Sequence, residues 1–156
     1  MTVQLEVDQP LDLAASLESG QAHRWRREGD WFSGVVRGNF IKVRQTPPIG
    51  KGGTKGGVGL EFRSEPHPDG SVAPLLRSYF RLDDDIQAIY AEISRDARVA
   101  EMIARYPGLR LLRVEPWECL ISFICSANNS IHNIHQNMER LADRYGSPIH
   151  MDGQVR

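Results

Sequence analysis

At 156 residues, 40% of them hydrophobic, the chain is long enough for one or two small domains around a core. A formal net charge of −1 excludes a global basic field as the means of holding nucleic acid. Two cysteines exclude a disulfide framework, and no stretch is apolar for long enough to cross a bilayer. The opening residues Met1 to Pro10 carry acids and no apolar block, so no signal peptide is expected.

Charge is unevenly placed. Between Gly20 and Phe62 eight basic residues stand against Glu28, Asp30 and Glu61, a local excess of five. Arginine supplies 16 of the 19 basic residues, and its planar fork suits phosphate better than lysine does.

In chain order, Val3 to Val7 alternates apolar and polar residues and predicts a short strand. Leu11 to Leu17 fits helix or strand. Ser19-Gly20-Gln21 is a turn, in which Gly20 is free to take a positive φ or to let a ligand approach its backbone. Runs at Ala22 to Arg26, Trp31 to Val36 and Phe40 to Arg44 are divided by Glu28-Gly29-Asp30 and Arg37-Gly38-Asn39. That spacing predicts an antiparallel meander, with Gly59 to Arg63 as a further strand. The glycine-rich stretch from Pro47 to Gly57 lacks the spacing of a phosphate-binding loop and predicts a flexible hairpin connection.

Glu65 to Ser71 is a polar break, after which the apolar period becomes helical. Leu75, Leu76, Tyr79 and Phe80 form one face. Asp83 or Asp84 is placed to cap a helix carrying Ile86, Ile89, Tyr90 and Ile93. Three adjacent aspartates also suggest a cation site, but caps and helix-dipole charge account for them. Another helix is expected from about Asp96 to Arg105, with Val99, Met102 and Ile103 inside, ended by Tyr106-Pro107-Gly108.

The most informative stretch is Glu115 to Ile134. Pro116 fits a first helical position. Trp117, Leu120, Ile121, Phe123, Ile124 and Cys125 follow almost without polar relief, which predicts a core helix holding both Cys119 and Cys125 as reduced residues. Ser126-Ala127-Asn128-Asn129-Ser130 then stops it. Ile131, Ile134, Met138, Leu141 and Tyr145 recur at helical spacing up to Gly146 and Pro148. Asn128 and Asn129 thus arrive at a helix N-terminus. They are placed either to cap it or to meet a polar partner there. His132 and His135 follow nearby at i and i+3. A strand-rich first half followed by helices is the α+β class.

Several of these segments carry a family signature. Gly108-Leu-Arg-Leu-Leu-Arg113, then Pro116-Trp-Glu-Cys-Leu-Ile-Ser-Phe-Ile-Cys-Ser-Ala-Asn-Asn129, resembles the 8-oxoguanine DNA glycosylases. So do Ser19-Gly20-Gln21 with Arg24-Trp25, Trp31-Phe-Ser-Gly-Val35, and Tyr79-Phe80 with Leu82-Asp83. The resemblance implies a TATA-binding-protein-like antiparallel sheet domain with flanking helices over 1–107. The first helices of a helical glycosylase domain would follow over 108–156.

It implies base-excision repair: flipping 8-oxoguanine from duplex DNA, cleaving its glycosidic bond with a lysine amine, and cutting the strand as a lyase. The partner implied is double-stranded DNA containing 8-oxoguanine. No cofactor, metal or membrane is expected. The location would be intracellular, in the cytoplasm or nucleoid of a prokaryote or the nucleus of a eukaryote. Gly20 matches the glycine whose carbonyl accepts from N7–H of the oxidised base; normal guanine N7 is itself an acceptor. Asn128 matches the asparagine that contacts the estranged cytosine. Asn133 stands where eukaryotic-type members carry an arginine that also reads that cytosine, which implies relaxed opposite-base selectivity.

The family's helix-hairpin-helix and both catalytic residues find no match here. None of Lys42, Lys51 and Lys55 corresponds to the nucleophile, and no catalytic aspartate is matched. The expectation is a truncated or split glycosylase, with a separately encoded catalytic half as one partner and marginal solubility alone. The alternative is a non-catalytic damaged-DNA-binding or accessory module.

Overall fold

The computed structural model describes residues 2–47, 57–67 and 69–156. The glycine-rich connection, with Lys51 and Lys55, lies largely outside the described residues.

Five strands form one antiparallel sheet: β1 Val3–Val7, β2 Arg26–Glu28, β3 Trp31–Val36, β4 Asn39–Thr46 and β5 Val58–Glu65. Their spatial order is β1-β5-β4-β3-β2, so the predicted meander is closed by β1 returning to the free edge of β5. The tight β3–β4 connection works because Arg37 and Gly38 both take positive φ, 45° and 73°, a geometry whose twist matches that of the paired strands. The expected strand at Ala22 to Arg26 is shorter and later. Ala22 and Trp25 turn into the core instead of alternating along an edge.

Register puts Val3, Phe62, Val43 and Phe32 in one cross-strand row, with Leu5 and Leu60 beside it. This apolar face packs on two helices. The ambiguous segment near Leu11 becomes α1, Leu13–Glu18, because Asp12 accepts a hydrogen bond from the Ala15 N–H and caps it. The second helix, α2, spans Asp69–Tyr79 and delivers Val72, Leu76 and Tyr79. Phe40, Phe62 and Phe80 are fully enclosed, each such side chain contributing about 1.5–3 kcal/mol over its exposed state.

Trp25 is the tightest fit. Its Nε1–H donates to the Tyr79 hydroxyl at 2.9 Å, and its ring lies on Gly34, where a Cβ would stand 2.5 Å from the indole. Only a glycine lets the ring lie that close to the strand.

The helices α3, Ile86–Ile93, and α4, Ala97–Arg105, follow. The cap of α3 is Asp85, not Asp83 or Asp84. Its carboxylate takes the N–H groups of Gln87 and Ala88. Asp83 and Asp84 instead bracket the Arg113 guanidinium, each at 2.6 Å. Arg113 holds the Asp83 carboxyl below its usual range, chiefly by hydrogen bonding. A partner 29 residues away took what local pattern assigned to a cap. Contrary to expectation, α4 buries no residue fully.

After the Gly108 turn, residues 109–114 have no helix or strand and are fastened to the sheet half. Leu112 enters the core, and the buried Arg110 guanidinium donates to the carbonyls of Pro10 and Arg81. Two helices end the main path, α5 Pro116–Ser126 and α6 Ile131–Tyr145. The largest departure from expectation is α5. Trp117 and Phe123 are 67% and 75% exposed, Leu120 and Ile124 are exposed too, and no residue of the helix is buried. Cys119 is exposed and Cys125 half-buried; both are free thiols, as expected, but neither is in the core. The apolar content of α5 reports faces that the described residues leave uncovered.

The polar terminal residues, given no structure from sequence, form a hairpin of β6, His150–Met151, and β7, Gln154–Val155. It lies on the outer face of the sheet. Arg156 reaches Glu28 and the Ser33 hydroxyl, and Asp152 pairs with Arg63. Among the described residues no helix is long and apolar enough to cross a membrane.

Candidate nucleic-acid interface

The turn after α1 is held from below by Gln21. Its amide Nε2 donates to the carbonyls of Ser16 and Arg110, and its Oε1 accepts from the Leu112 N–H at 2.8 Å. One side chain thus fastens the turn to the segment that leads into α5. Gly20 sits on this base with φ +86°. A side chain there would be strained in backbone and would press on Ile131 Cδ1 at 3.3 Å. Gly20 therefore abuts the first residue of α6.

A cavity of about 270 Å³ opens beside Gly20, walled by Leu17, Trp25, Phe32, Ile131 and His135. Larger cavities lie elsewhere, between α3 and α4 and beside Asp12, and touch none of the expected site residues.

Asn128 lies in the turn between α5 and α6 with φ +50°, a left-handed conformation that asparagine tolerates better than most residues. It is exposed, and its side chain makes no hydrogen bond among the described residues. Capping falls to its neighbours. Ser130 Oγ accepts from the Asn133 N–H, and Asn129 Nδ2 donates to the Cys125 carbonyl at the end of α5. Asn133, in the first turn of α6, is exposed. Its backbone is held by Ser130, while its side chain is bonded to nothing described. Gly20 and the start of α6 are thus brought together, and both asparagines flank that start with free amides.

Further along α6, His135 meets His23 edge to face, centroids 6.0 Å apart. Burial lowers the pKa of both, each is further lowered by a neighbouring positive group, and Glu139 pulls His135 back up. Glu139 pairs with Arg24 Nε at 3.8 Å and closely with Arg26. On α5, burial raises the Glu118 carboxyl; Arg24 opposes the shift and Glu115 adds to it. His132 lies exposed with its Nε2 2.9 Å from the Gln136 amide nitrogen.

Lys42 stands apart from this site. It is buried on the sheet's outer face and paired with Glu28 at 3.3 Å. Among the described residues no group of three His, Cys, Asp or Glu side chains is gathered as a metal would need. The Gln21 clamp and the Arg24–Arg26–Glu139 cluster were not singled out from sequence. The former is signalled only by its place in Ser-Gly-Gln; the latter, linking residues over a hundred apart, has no local signal.

Comparison with known proteins bears on the family and the fold. The family model for the 8-oxoguanine DNA glycosylase N-terminal domain matches residues 3–120. The chain is 29% identical over 126 residues to N-glycosylase/DNA lyase OGG1 of Arabidopsis thaliana, covering 80% of this chain and 33% of that protein. It is 40% identical over 76 residues to the N-glycosylase/DNA lyase of Saccharomyces cerevisiae, covering 47% of this chain and 20% of that one.

Among solved structures, MBOgg1 in complex with a low-affinity DNA ligand superposes with a TM-score of 0.82 at 30% identity, over 99% of this chain and 50% of that one. The Clostridium acetobutylicum 8-oxoguanine glycosylase/lyase bound to duplex DNA containing cytosine opposite 8-oxoguanine gives 0.77 at 26%, over 94% and 47%. The chain therefore spans a third or less of those curated relatives and about half of these solved structures. By its N-terminal-domain match and its shared fold, the chain belongs to the 8-oxoguanine DNA glycosylase family.

Proposed function

We propose that these residues form the lesion-reading part of an 8-oxoguanine DNA glycosylase. The Gly20 carbonyl accepts from N7–H of an extruded 8-oxoguanine, Asn128 contacts the cytosine left behind, and Asn133 is a second, shorter contact to that base. The observation that carries this is the packing of the positive-φ Gly20 turn against the start of α6, with Asn128 and Asn133 unbonded beside it. The partner is duplex DNA carrying 8-oxoguanine, so the chain acts where DNA is held, in nucleoid or nucleus. The division at 107/108 into a sheet domain and the opening helices of a glycosylase domain belongs to the same proposal.

Excision and strand cleavage are assigned to the whole family member, not to these residues alone. The lysine among the described residues is buried in an ion pair with Glu28 and does not line the Gly20 cavity. That favours a binding role for this part, completed by a catalytic half, continuous or separately encoded. The test is fluorescence anisotropy with duplexes holding 8-oxoguanine or guanine opposite cytosine, followed by borohydride trapping. Tighter binding of the oxidised duplex without a covalent adduct is expected. Equal binding of both duplexes would refute lesion reading, and a trapped adduct would refute the assignment of the chemistry elsewhere.

A further inference from the structure

Helix α6 meets the turn-bearing segment along a single ridge. Ile131 faces Gly20, His135 faces His23, and Glu139 faces Arg24 and Arg26. These are positions i, i+4 and i+8, stacked on one side of a helix. They meet residues 20 to 26 in the same order, so helix and segment run alongside each other for two turns. The ridge is apolar at one end, where Ile131 touches Gly20, and ionic at the other.

At the ionic end Arg24 Nε and Glu139 Oε1 are both buried and neither has a hydrogen-bond partner among the described residues. They are counter-charges 3.8 Å apart, with Arg26 also on Glu139 and Glu118 also felt by Arg24. Both side chains are 19% exposed, so solvent screens them little. Removing the Glu139 charge leaves Arg24 with only Glu118, beyond ion-pair distance, as a counter-charge, a cost that is relieved by moving the elements apart. Because the same rigid helix carries Ile131 and follows directly on Asn128, a shift at Glu139 is transmitted to both.

We infer that Glu139 is a positioning residue: by holding Arg24 and Arg26 it sets the spacing between the Gly20 carbonyl and the Asn128–Asn133 end of α6. This rests on the function proposed above, in which those two places read opposite strands of one base pair. A carbonyl accepting N7–H discriminates only within hydrogen-bond range, so the spacing governs selectivity more than affinity. Glu139 touches neither base.

The test compares Glu139→Gln with Glu61→Gln. Glu61 makes a comparable ion pair with Arg44 at 2.6 Å on the sheet, away from the ridge. Binding is measured for duplexes with 8-oxoguanine opposite cytosine, 8-oxoguanine opposite adenine, and guanine opposite cytosine, alongside thermal melting. Glu139→Gln is expected to reduce the ratios between these affinities by roughly threefold to thirtyfold, the range for changes in a salt-bridge network coupling two sites. Glu61→Gln should leave them unchanged at a similar loss of melting temperature. Retained ratios in Glu139→Gln, or an equal loss in Glu61→Gln, would overturn the inference.

Should the unaltered chain itself fail to discriminate, the proposed function fails, and the spacing claim is judged by the backbone amide resonances of Gly20 and Ile131. Movement of both in Glu139→Gln but not in Glu61→Gln upholds the mechanical link. Resonances that stay in place refute it.

Discussion

Gly34→Ala is the sharpest perturbation the structure offers. The added Cβ would stand 2.5, 2.7 and 2.9 Å from Cδ2, Cε3 and Cε2 of Trp25, where carbon pairs prefer about 3.5–4.0 Å. About 1 Å of movement is therefore required. The backbone of β3 is held by pairing to β4, and the indole by its bond to Tyr79 and by the rings of Tyr79 and Phe80 with centroids 6.0 and 6.2 Å away.

Overpacking of this kind costs about 1–3 kcal/mol, and loss of the Trp25–Tyr79 bond would add about 1–3 kcal/mol for groups left buried. At about 2–4 °C per kcal/mol for a chain of this size, a melting temperature lower by roughly 4–24 °C is expected. Trp25 also walls the Gly20 cavity, so binding of the oxidised duplex should weaken together with stability. Differential scanning calorimetry reads the first effect. In a double-mutant cycle with Trp25→Ala, which removes the ring that the added Cβ meets, the loss in the double variant should fall short of the sum of the two single losses. A melting temperature within about 1 °C of the unaltered chain, or full additivity in the cycle, would refute the contact.

Three further outcomes are expected. His23 and His135 both have depressed pKa values in the folded state, mainly through burial, so the unfolded chain binds more protons below about pH 6.5. Stability is then fully present above that pH and is lost as pH falls toward the folded-state values. Urea titrations at pH 7.5 and 5.5 should show this, with a shallower dependence in His135→Gln; equal slopes would be contrary. Replacing Trp117 and Phe123 together by serine should reduce dye binding and self-association by light scattering while changing stability by no more than about 0.5 kcal/mol per site, since both are exposed. A large fall in melting temperature would mean that α5 is buried. Arg110→Ala should cost about 1–3 kcal/mol by orphaning the Pro10 and Arg81 carbonyls, measured by urea unfolding, and a neutral result would refute their dependence on it.

What was legible in the sequence followed from local rules. Strands β3 to β5 alternate because one face meets α1 and α2, and side-chain period 2 writes that burial into the residues. Asp96 marks a helix start because a side-chain oxygen beside an orphan N–H needs no tertiary context, whereas Asp12 and Ser130 were identified as caps only in the fold. The Asp83-Asp84-Asp85 run exposed the limit of such rules. All three could cap; which one does is settled by Arg113. For α5 the apolar pattern correctly marks a helix that suits a buried setting. Pattern does not state what supplies the cover, and here Trp117 and Phe123 face outward. Gly20, Asn128 and Asn133 were located through motif resemblance. The packing of Gly20 on Ile131 required the fold.

The least legible feature is the short edge strand β2. Its three residues, Arg26-Arg27-Glu28, look like an ordinary solvated charge run, and as a strand they pair with β3 alone. Yet Arg26 and Glu28, two apart and so on the same face, hold the two ends of everything that follows Ser130. Arg26 takes Glu139 of α6, while Glu28 takes Arg156 and Gln154 of the hairpin as well as Lys42 and the Ser33 hydroxyl. Those hydrogen bonds and the Lys42 charge outweigh burial and keep the Glu28 carboxyl below its usual range. A strand too short to add much to the sheet thereby fixes α6 at one end and the hairpin at the other. The residues leading into it run directly from Gly20. The turn proposed to read the lesion and the helix proposed to read its partner base are therefore referenced to the same few residues of backbone.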